Sequence, residues 1–353
     1  MKLPRAILSG NIAIALLLTS LTASASHHFE SAQAIKVSSL NQLDNYIFQS
    51  SRPDSTAMVM TFNHSPKAGL NGVYNTSALY NVHIAEDDSF RKGFTYSFQF
   101  DNDGNYTVYR LDEPDAAVGK KGSEIGKGSS GKPLILADGV QIWTGIAKDP
   151  FFGNSPGLHV FRKELAEGKY DPAVWTKSQG KNIFTGRNCV AIVLDIPNKQ
   201  LGKTVKVFMT TAMKADNSWQ QVQYSAIPLF SHTMLFENEA LKREHDQSRP
   251  ENSQDMKAFV SARTMRTSAL AHSQKDLVAY SDKVADMLVP DVITYNVGTP
   301  ASFSASKING RKMSDDAMSA MLTLLTGQPT NQAITDQKIY SATFPYVIPT
   351  SLK

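Results

Sequence analysis

Asp101, Asp103 and Asn105 put oxygen-bearing side chains on alternate residues of one short loop, and Glu86-Asp87-Asp88 stands one strand earlier in the reading. That pattern suits a hard cation, so calcium is the cofactor these residues offer. A complete calcium loop needs about six oxygens with a closing carboxylate, and Asp-Gly turns are common in metal-free hairpins. The expectation is therefore a hairpin tip that binds calcium weakly or not at all, with no other cofactor. Gly126-Lys127-Gly128-Ser129-Ser130-Gly131-Lys132-Pro133 nearly spells a phosphate-binding loop. Pro133 stands where a hydroxyl must reach the metal ion, and Leu134-Ile135-Leu136 continues as a strand instead of a helix. Residues 119–133 are expected to form an exposed, mobile connection.

His27 and His28 would chelate copper only if processing left His27 as the first residue. His64, His83, His159, His232, His245 and His272 show no metal-ligand spacing. His83 alternates with Val82 and Ile84 and is expected to face solvent. Cys189 is the only cysteine, so no internal disulfide forms. Its run, Asn188-Cys189-Val190-Ala191-Ile192-Val193-Leu194, reads as a strand buried on both faces, in which the thiol is packing material. No Gly-x-Ser-x-Gly elbow occurs and no triad can be assembled along the sequence. The twelve Met residues are scattered and read as core filler.

The elements that must hold these residues follow from periodicity. Alternation of apolar and polar side chains predicts strands at Met58 to Phe62, Tyr80 to Ile84, Phe94 to Phe100, Tyr106 to Leu111, Val140 to Ile146, Val205 to Met209 and Val222 to Tyr224. After about Thr233 the period lengthens. Ser253 is positioned to cap a helix with Met256, Phe259 and Val260 on one face, and Leu277, Val284, Met287 and Leu288 continue a helical stripe to Pro290. A C-terminal helix is expected from Ser314, with Asp315 and Asp316 in its first turn and Met318, Met321, Leu322 and Leu325 on its buried face. Gly327 and Pro329 end it.

Lys2 and Arg5, the apolar run Ile12 to Leu18 and the small residues Ala23-Ser24-Ala25 read as a secretory signal peptide over residues 1–25. The product is expected to be exported, periplasmic or secreted. No later window holds about 18 consecutive apolar residues, which argues against a transmembrane segment. Of 353 residues, 36 are Lys or Arg and 32 are Asp or Glu, a balance that leaves no electrostatic footprint for nucleic acid. The fold class expected is mainly β (α+β). Residues 26–353 should form a single domain, an antiparallel two-sheet sandwich with a helical insertion at about 234–290 and a C-terminal helix.

Several stretches in order resemble the bacterial exported proteins catalogued as domain of unknown function 4331. Ser26-His27-His28-Phe29-Glu30-Ser31 is similar to that family's opening, and Leu43-Asp44-Asn45-Tyr46-Ile47-Phe48 to its Asp-x-Tyr-Ala-Phe segment. Asp149-Pro150-Phe151-Phe152, Gly186-Arg187-Asn188, Pro290-Asp291-Val292 and Asn309-Gly310-Arg311-Lys312-Met313-Ser314-Asp315-Asp316-Ala317 match further signatures, as do Leu324-Leu325-Thr326-Gly327 and Phe344-Pro345-Tyr346. The chain departs from the family at Ala85-Glu86-Asp87-Asp88-Ser89, where relatives carry a longer acidic run, and at Pro228-Leu229-Phe230-Ser231. The family has no settled activity, so the resemblance implies an exported bacterial protein and no reaction. Its motif residues, His27, Glu30, Asp149, Asn188, Asn309, Arg311, Asp315 and Asp316, are expected to be structural. The function expected is a non-enzymatic binding or structural module with partners unspecified. The alternative is a hydrolase or metal-dependent enzyme whose site is assembled from distant segments.

Overall fold

The computed structural model describes residues 37–351 apart from 64, 65, 67–69, 71, 113–119, 179–181 and 237. The expected signal peptide over residues 1–25, His27 and Glu30 lie outside the described residues. In chain order the strands are β1 (Gln42–Gln49), β2 (Ser55–Phe62), β3 (Ala78–Ala85), β4 (Gly93–Phe100), β5 (Asn105–Leu111), β6 (Ser123–Ser129), β7 (Leu134–Ile135), β8 (Gln141–Lys148), β9 (Asn188–Pro197), β10 (Thr204–Ala215), β11 (Ser218–Ser225), β12 (Ile293–Asn296), β13 (Ser302–Ser304) and β14 (Lys307–Asn309). The helices are α1 (Ser155–Ala166), α2 (Val174–Lys177), α3 (Glu239–Asp246), α4 (Gln254–Leu270), α5 (Leu277–Leu288) and α6 (Ala317–Thr326).

One sheet runs β1-β2-β9-β8-β7 and the other β11-β10-β3-β4-β5-β6, with β12 also on the β10 edge; every pairing is antiparallel. The two sheets face each other across a core in which Met58, Met60 and Phe62 of β2 and Val190, Ile192 and Leu194 of β9 meet Tyr80, Val82, Tyr96 and Phe98 of the second sheet. The alternate residues of the same strands, Ala57, Val59, Cys189, Ala191 and Val193, pack on the other face against Trp143, Met313, Tyr346 and Val347. Burial on both faces is why Cys189 to Leu194 of β9 is an unbroken apolar run with no polar alternation. The expected mainly β sandwich is therefore the fold.

Helices from three stretches of chain share one apolar cluster: α1 and α2 between β8 and β9, the segment from Ile227 to Val289, and α6. The helical layer is thus wider than the expected insertion at 234–290. α1 begins at Asn154, whose Oδ1 accepts the Gly157 N–H (2.9 Å), with Pro156 in its first turn. In α6, Met318, Met321, Leu322 and Leu325 are buried as their spacing requires, and Gly327 closes the helix with φ +74°. The cap differs from the expected Ser314: Asp316 accepts the Ser319 N–H (3.0 Å), and the helix starts two residues later than the sequence suggests. At α4, Ser253 occupies the cap position without capping, because its hydroxyl donates to Pro250 O (2.7 Å). Phe259, expected on the buried face, is 43% exposed, while Met256 and Val260 are buried.

Two further expectations are corrected. Residues 123–129 of the supposed mobile connection are strand β6, paired with β5. Gly128 lies beneath the Tyr106 ring, where an added Cβ would stand 2.4 Å from its atoms, so the glycines are there for close approach and not to cradle phosphate. His83 is 1% exposed: its ring stacks on Phe208 at 4.5 Å, and its nitrogens reach Thr95 Oγ1 (2.9 Å) and Thr210 Oγ1 (2.8 Å). The strand face it occupies is the outer face of the second sheet, covered here and not open to water.

Candidate functional site

Four segments far apart in sequence bring charged side chains to one place behind the first sheet. β1 carries Asp44 and Tyr46 beside a register shift between Gln42 and Asn45. At this irregularity the Thr61 hydroxyl accepts the Asp44 N–H (3.0 Å) and donates to Asp44 O (3.2 Å), replacing lost ladder bonds. Asp149 follows the last residue of β8 and extends the β8–β9 ladder by one step, its N–H donating to Arg187 O (3.1 Å). Pro150 after it favours this extended backbone. Cys189 is the second residue of β9, two positions after Arg187.

Arg311 arrives from the turn after β14. Its N–H donates to Ile47 O (2.8 Å) and its carbonyl accepts the Ile47 N–H (3.0 Å), so the turn adds one bridge to the free edge of β1. Gly310 makes this possible: it has φ +73°, and a Cβ there would lie 2.4 Å from Ile47 O. Asn309 pins the same turn, its amide donating to Thr299 Oγ1 and Pro300 O (both 3.0 Å) and its oxygen accepting the Asn296 N–H (2.9 Å). Asp315 accepts the backbone N–H groups of Lys312 (2.8 Å) and Phe303 (3.0 Å).

At the centre, Arg311 Nη1 stands 2.7 Å from Asp44 Oδ1, both side chains 2% exposed, and also donates to Asn45 O (3.2 Å). The guanidinium lies 4.3 Å over the Tyr46 ring and 6.0 Å from that of Phe151. Burial raises the Asp44 carboxyl above its ordinary range, and the charge of Arg311 offsets only part of this. Burial is the largest influence on the Arg311 cation and works against it, but the Asp44 charge and hydrogen bond together with Tyr46 and Asp315 outweigh it and the net shift is upward. Asp149, 1% exposed, accepts the Phe151 N–H (3.0 Å). Burial first, and then the neighbouring Asp44 charge, push its carboxyl up to about 7, with Phe151, Arg187 and Arg311 compensating in part. Burial beside these carboxylates lifts the Cys189 thiol well above its usual range, so it is no nucleophile.

Among the motif residues, then, Asp149 and Arg311 meet, with Asp315 at the edge and Asn309 holding the turn. Asp316 caps α6, and Asn188 points to Lys148 Nζ (3.4 Å) instead. Asp44, Tyr46 and Arg187 belong to the node but were named only within longer motif segments. What the node can do chemically is hold charge and a proton out of water; its groups touch one another and backbone.

Two smaller nodes repeat the pattern. Asp195, fully buried, accepts from Ser50 Oγ (2.7 Å) and Tyr346 Oη (2.8 Å) and pairs with Arg52 (3.1 Å), fastening the C-terminal tail. Asp291 accepts the Ile227 N–H (2.6 Å) and pairs with His245 Nε2 (2.9 Å) beside Ser231 and His232, around a cavity of about 10 Å³, scarcely one water.

The oxygen cluster at Asp101 is organised as a turn. Asp101 Oδ1 accepts the N–H groups of Asp103 (2.9 Å) and Asn105 (2.8 Å), and Oδ2 accepts the Asn105 amide (3.0 Å). The Asn105 amide, with the backbone donors, holds the Asp101 carboxyl below its ordinary range. Asp87 and Asp88 follow β3, at the opposite end of the eight-residue strand β4 from Asp101, about 25 Å away at strand rise, so they cannot share an ion with it. Among the described residues no group of three or more His, Cys, Asp or Glu is arranged to hold a metal, and no helix is long and apolar enough to cross a membrane.

Comparisons of the chain with protein-family models, curated proteins and solved structures find no match. The resemblance to the exported bacterial family rests on the motifs quoted above.

Proposed function

We propose that the chain is an exported, periplasmic or secreted binding or structural module, not an enzyme, of the family its motifs resemble. The observation that carries this reading is the closed node at Asp44, Asp149 and Arg311. Motif segments converge there, yet their ionisable groups are 1–2% exposed, and the hydrogen bonds they make run to one another and to backbone. Residues arranged this way fix a fold, and recognition is left to the open surface. The rival hydrolase reading draws on the His245–Asp291 pair beside Ser231 and His232. Screening the purified chain against ester, glycoside, peptide and phosphate substrates, with and without added metal ions, separates the two. No turnover is expected. Turnover abolished by His245→Gln would establish the rival. N-terminal sequencing of exported protein should begin at Ser26; a retained Met1 would refute export by cleavage.

A further inference from the structure

Away from the closed nodes, a cleft of about 600 Å³ lies between the second sheet and the helical layer. That is the size of a small-molecule site. Its sheet wall, formed by the β3–β4 loop with facing residues of β10 and β12, carries Arg91 and Lys206. Its helical wall, formed by the turn before α4, the start of α4 and the end of α5, carries Glu251 and Asp286. Phe90, Val289 and Val292, each at most 7% exposed, and Pro290 supply an apolar lining.

The sheet wall is held in shape by its own loop. Asp87 Oδ1 accepts the N–H groups of Arg91 and Lys92 (both 3.0 Å), and the Glu86 N–H donates to Lys92 O (2.9 Å). Phe90 inside this loop has φ +57°, a conformation a bulky residue keeps only where its surroundings impose it. Its ring stands 6.3 Å from that of Phe208 and 5.6 Å from Lys206 Nζ. Burial lowers the Lys206 ammonium below the ordinary lysine range, with the Asp87 charge offsetting part of this, so the cation is partly withdrawn from water.

The charges of the cleft pair along their own walls: Lys206 with Asp88, Glu251 with Arg249 (3.3 Å) and Asp286 with Lys257. The side chains of Asp88 and Asp286 are 96% and 62% exposed, and pairs that open to solvent are weak enough to be exchanged for the charges of a ligand. A wall with cations opposite a wall with carboxylates, with apolar side chains in the same cleft, is complementary to a ligand of opposite charge at its two ends.

We propose that this cleft binds a small zwitterion with an apolar body, its carboxylate held by Arg91 and Lys206, its ammonium by Glu251 and Asp286, and its apolar part on Phe90 and Val289. A free apolar amino acid and the two ends of a short apolar peptide share that chemistry. The proposal rests on the reading of the chain as a binding module and supplies the ligand class that reading lacks.

The test is calorimetric titration of the purified chain with leucine and with the dipeptide leucyl-leucine, each also with its amine acetylated or its carboxylate amidated. Saturable binding of an open form is expected. Binding of leucine alone assigns the cleft to free amino acids, and tighter binding of the dipeptide assigns it to peptide ends. Blocking either end should weaken binding at least about tenfold, the equivalent of one lost charge-assisted contact. Arg91→Gln and Asp286→Asn, one exposed charge from each wall, should keep the parent circular dichroism spectrum and lose affinity by a similar factor. Arg243→Gln, exposed on α3 and outside the cleft, should bind as the parent does. No saturable binding at millimolar leucine and leucyl-leucine, or blocked probes and wall variants that bind as tightly as the originals, would overturn the proposal and leave the non-enzymatic reading to the substrate screen. Hydrolysis of leucyl-leucine in that screen, with binding still dependent on Arg91 and Asp286, would sink the non-enzymatic reading and leave this site standing.

Discussion

Replacing Asp149 by Asn should flatten the pH dependence of stability between pH 5 and 8. An aspartate ordinarily ionises near 3.8, whereas in the folded chain burial and the Asp44 charge hold Asp149 protonated to about 7. Between those values the folded chain binds more protons than the unfolded one, so stability falls as pH rises from about 3.8 through 7 and then levels. The full difference, from 3.8 to about 7 at 1.36 kcal/mol per pKa unit, corresponds to an upper figure of about 4 kcal/mol. About 3 kcal/mol of it is lost between pH 5 and pH 8. At roughly 2.1 cal/mol/K of unfolding entropy per residue, that is about 4 °C in melting temperature for a chain of this length.

Asn keeps the oxygen that accepts the Phe151 N–H. Its new amide takes the place of Asp149 Oδ2, a buried atom with no hydrogen-bond partner among the described residues. That exchange shifts the curve by a constant of about 1 kcal/mol and leaves its slope alone, so the slope is the readout. Melts of parent and variant at half-unit steps of pH, followed by near-ultraviolet circular dichroism, give the difference curve directly. Parallel curves from pH 5 to 8 would mean that Asp149 is ionised in the folded state, and the account of the node would fail.

Arg311→Ala should cost about 3–5 kcal/mol in denaturant unfolding, because it strands Asp44 in a site 2% exposed; the double variant Asp44→Asn/Arg311→Met should recover part of this, and a single-variant cost below about 1 kcal/mol would contradict the pairing. Gly310→Ala should lose roughly 1–3 kcal/mol from its positive φ alone and more from the clash with Ile47 O; an unchanged melting temperature would show that the turn relaxes freely. Thermal melts in millimolar calcium and in chelator should nearly coincide, since the Asp101 carboxylate is already supplied with donors; an upward shift abolished by changing Asp101 and Asp103 to Asn would reverse that conclusion.

What the sequence reveals of this protein depends on whether burial is written in apolar residues. β2, β3, β4, β9 and α6 carry their burial in Met, Val, Ile, Leu and aromatic side chains at the right period, and they were legible. β1 was not, because Gln42, Asp44 and Asn45 are buried there through polar partners, among them Gln223 on the Gln42 N–H (2.7 Å), Arg311 and Ser225. A strand whose inward residues are amides and a carboxylate shows no alternation until its partners, up to 267 positions away (Arg311 on Asp44), are known. β6 hid for the complementary reason: its glycines read as a loop, but they are the space that Tyr106 and Leu136 occupy. α1 carries the signals of its start, Asn154 as cap and Pro156 in the first turn, but its buried face mixes Leu158, Phe161 and Leu165 with Gly157 and Arg162, which blurs the apolar stripe.

The candidate site follows the same logic. Motif resemblance pointed to Asp149 and Arg311 individually, but their convergence is a property of topology: a register shift in β1, a ladder step past β8 and a glycine turn docked on the β1 edge must all be in place before the three charges meet. An arginine-lined pocket between α1 and α4 lay further from view. Arg263 and Arg266 stand three residues apart and so share a helix face, a pattern any solvated helix shows. Only helix α1, which supplies Arg162 and the Leu165 carbonyl, together with Phe236, turns that face into the wall of a pocket.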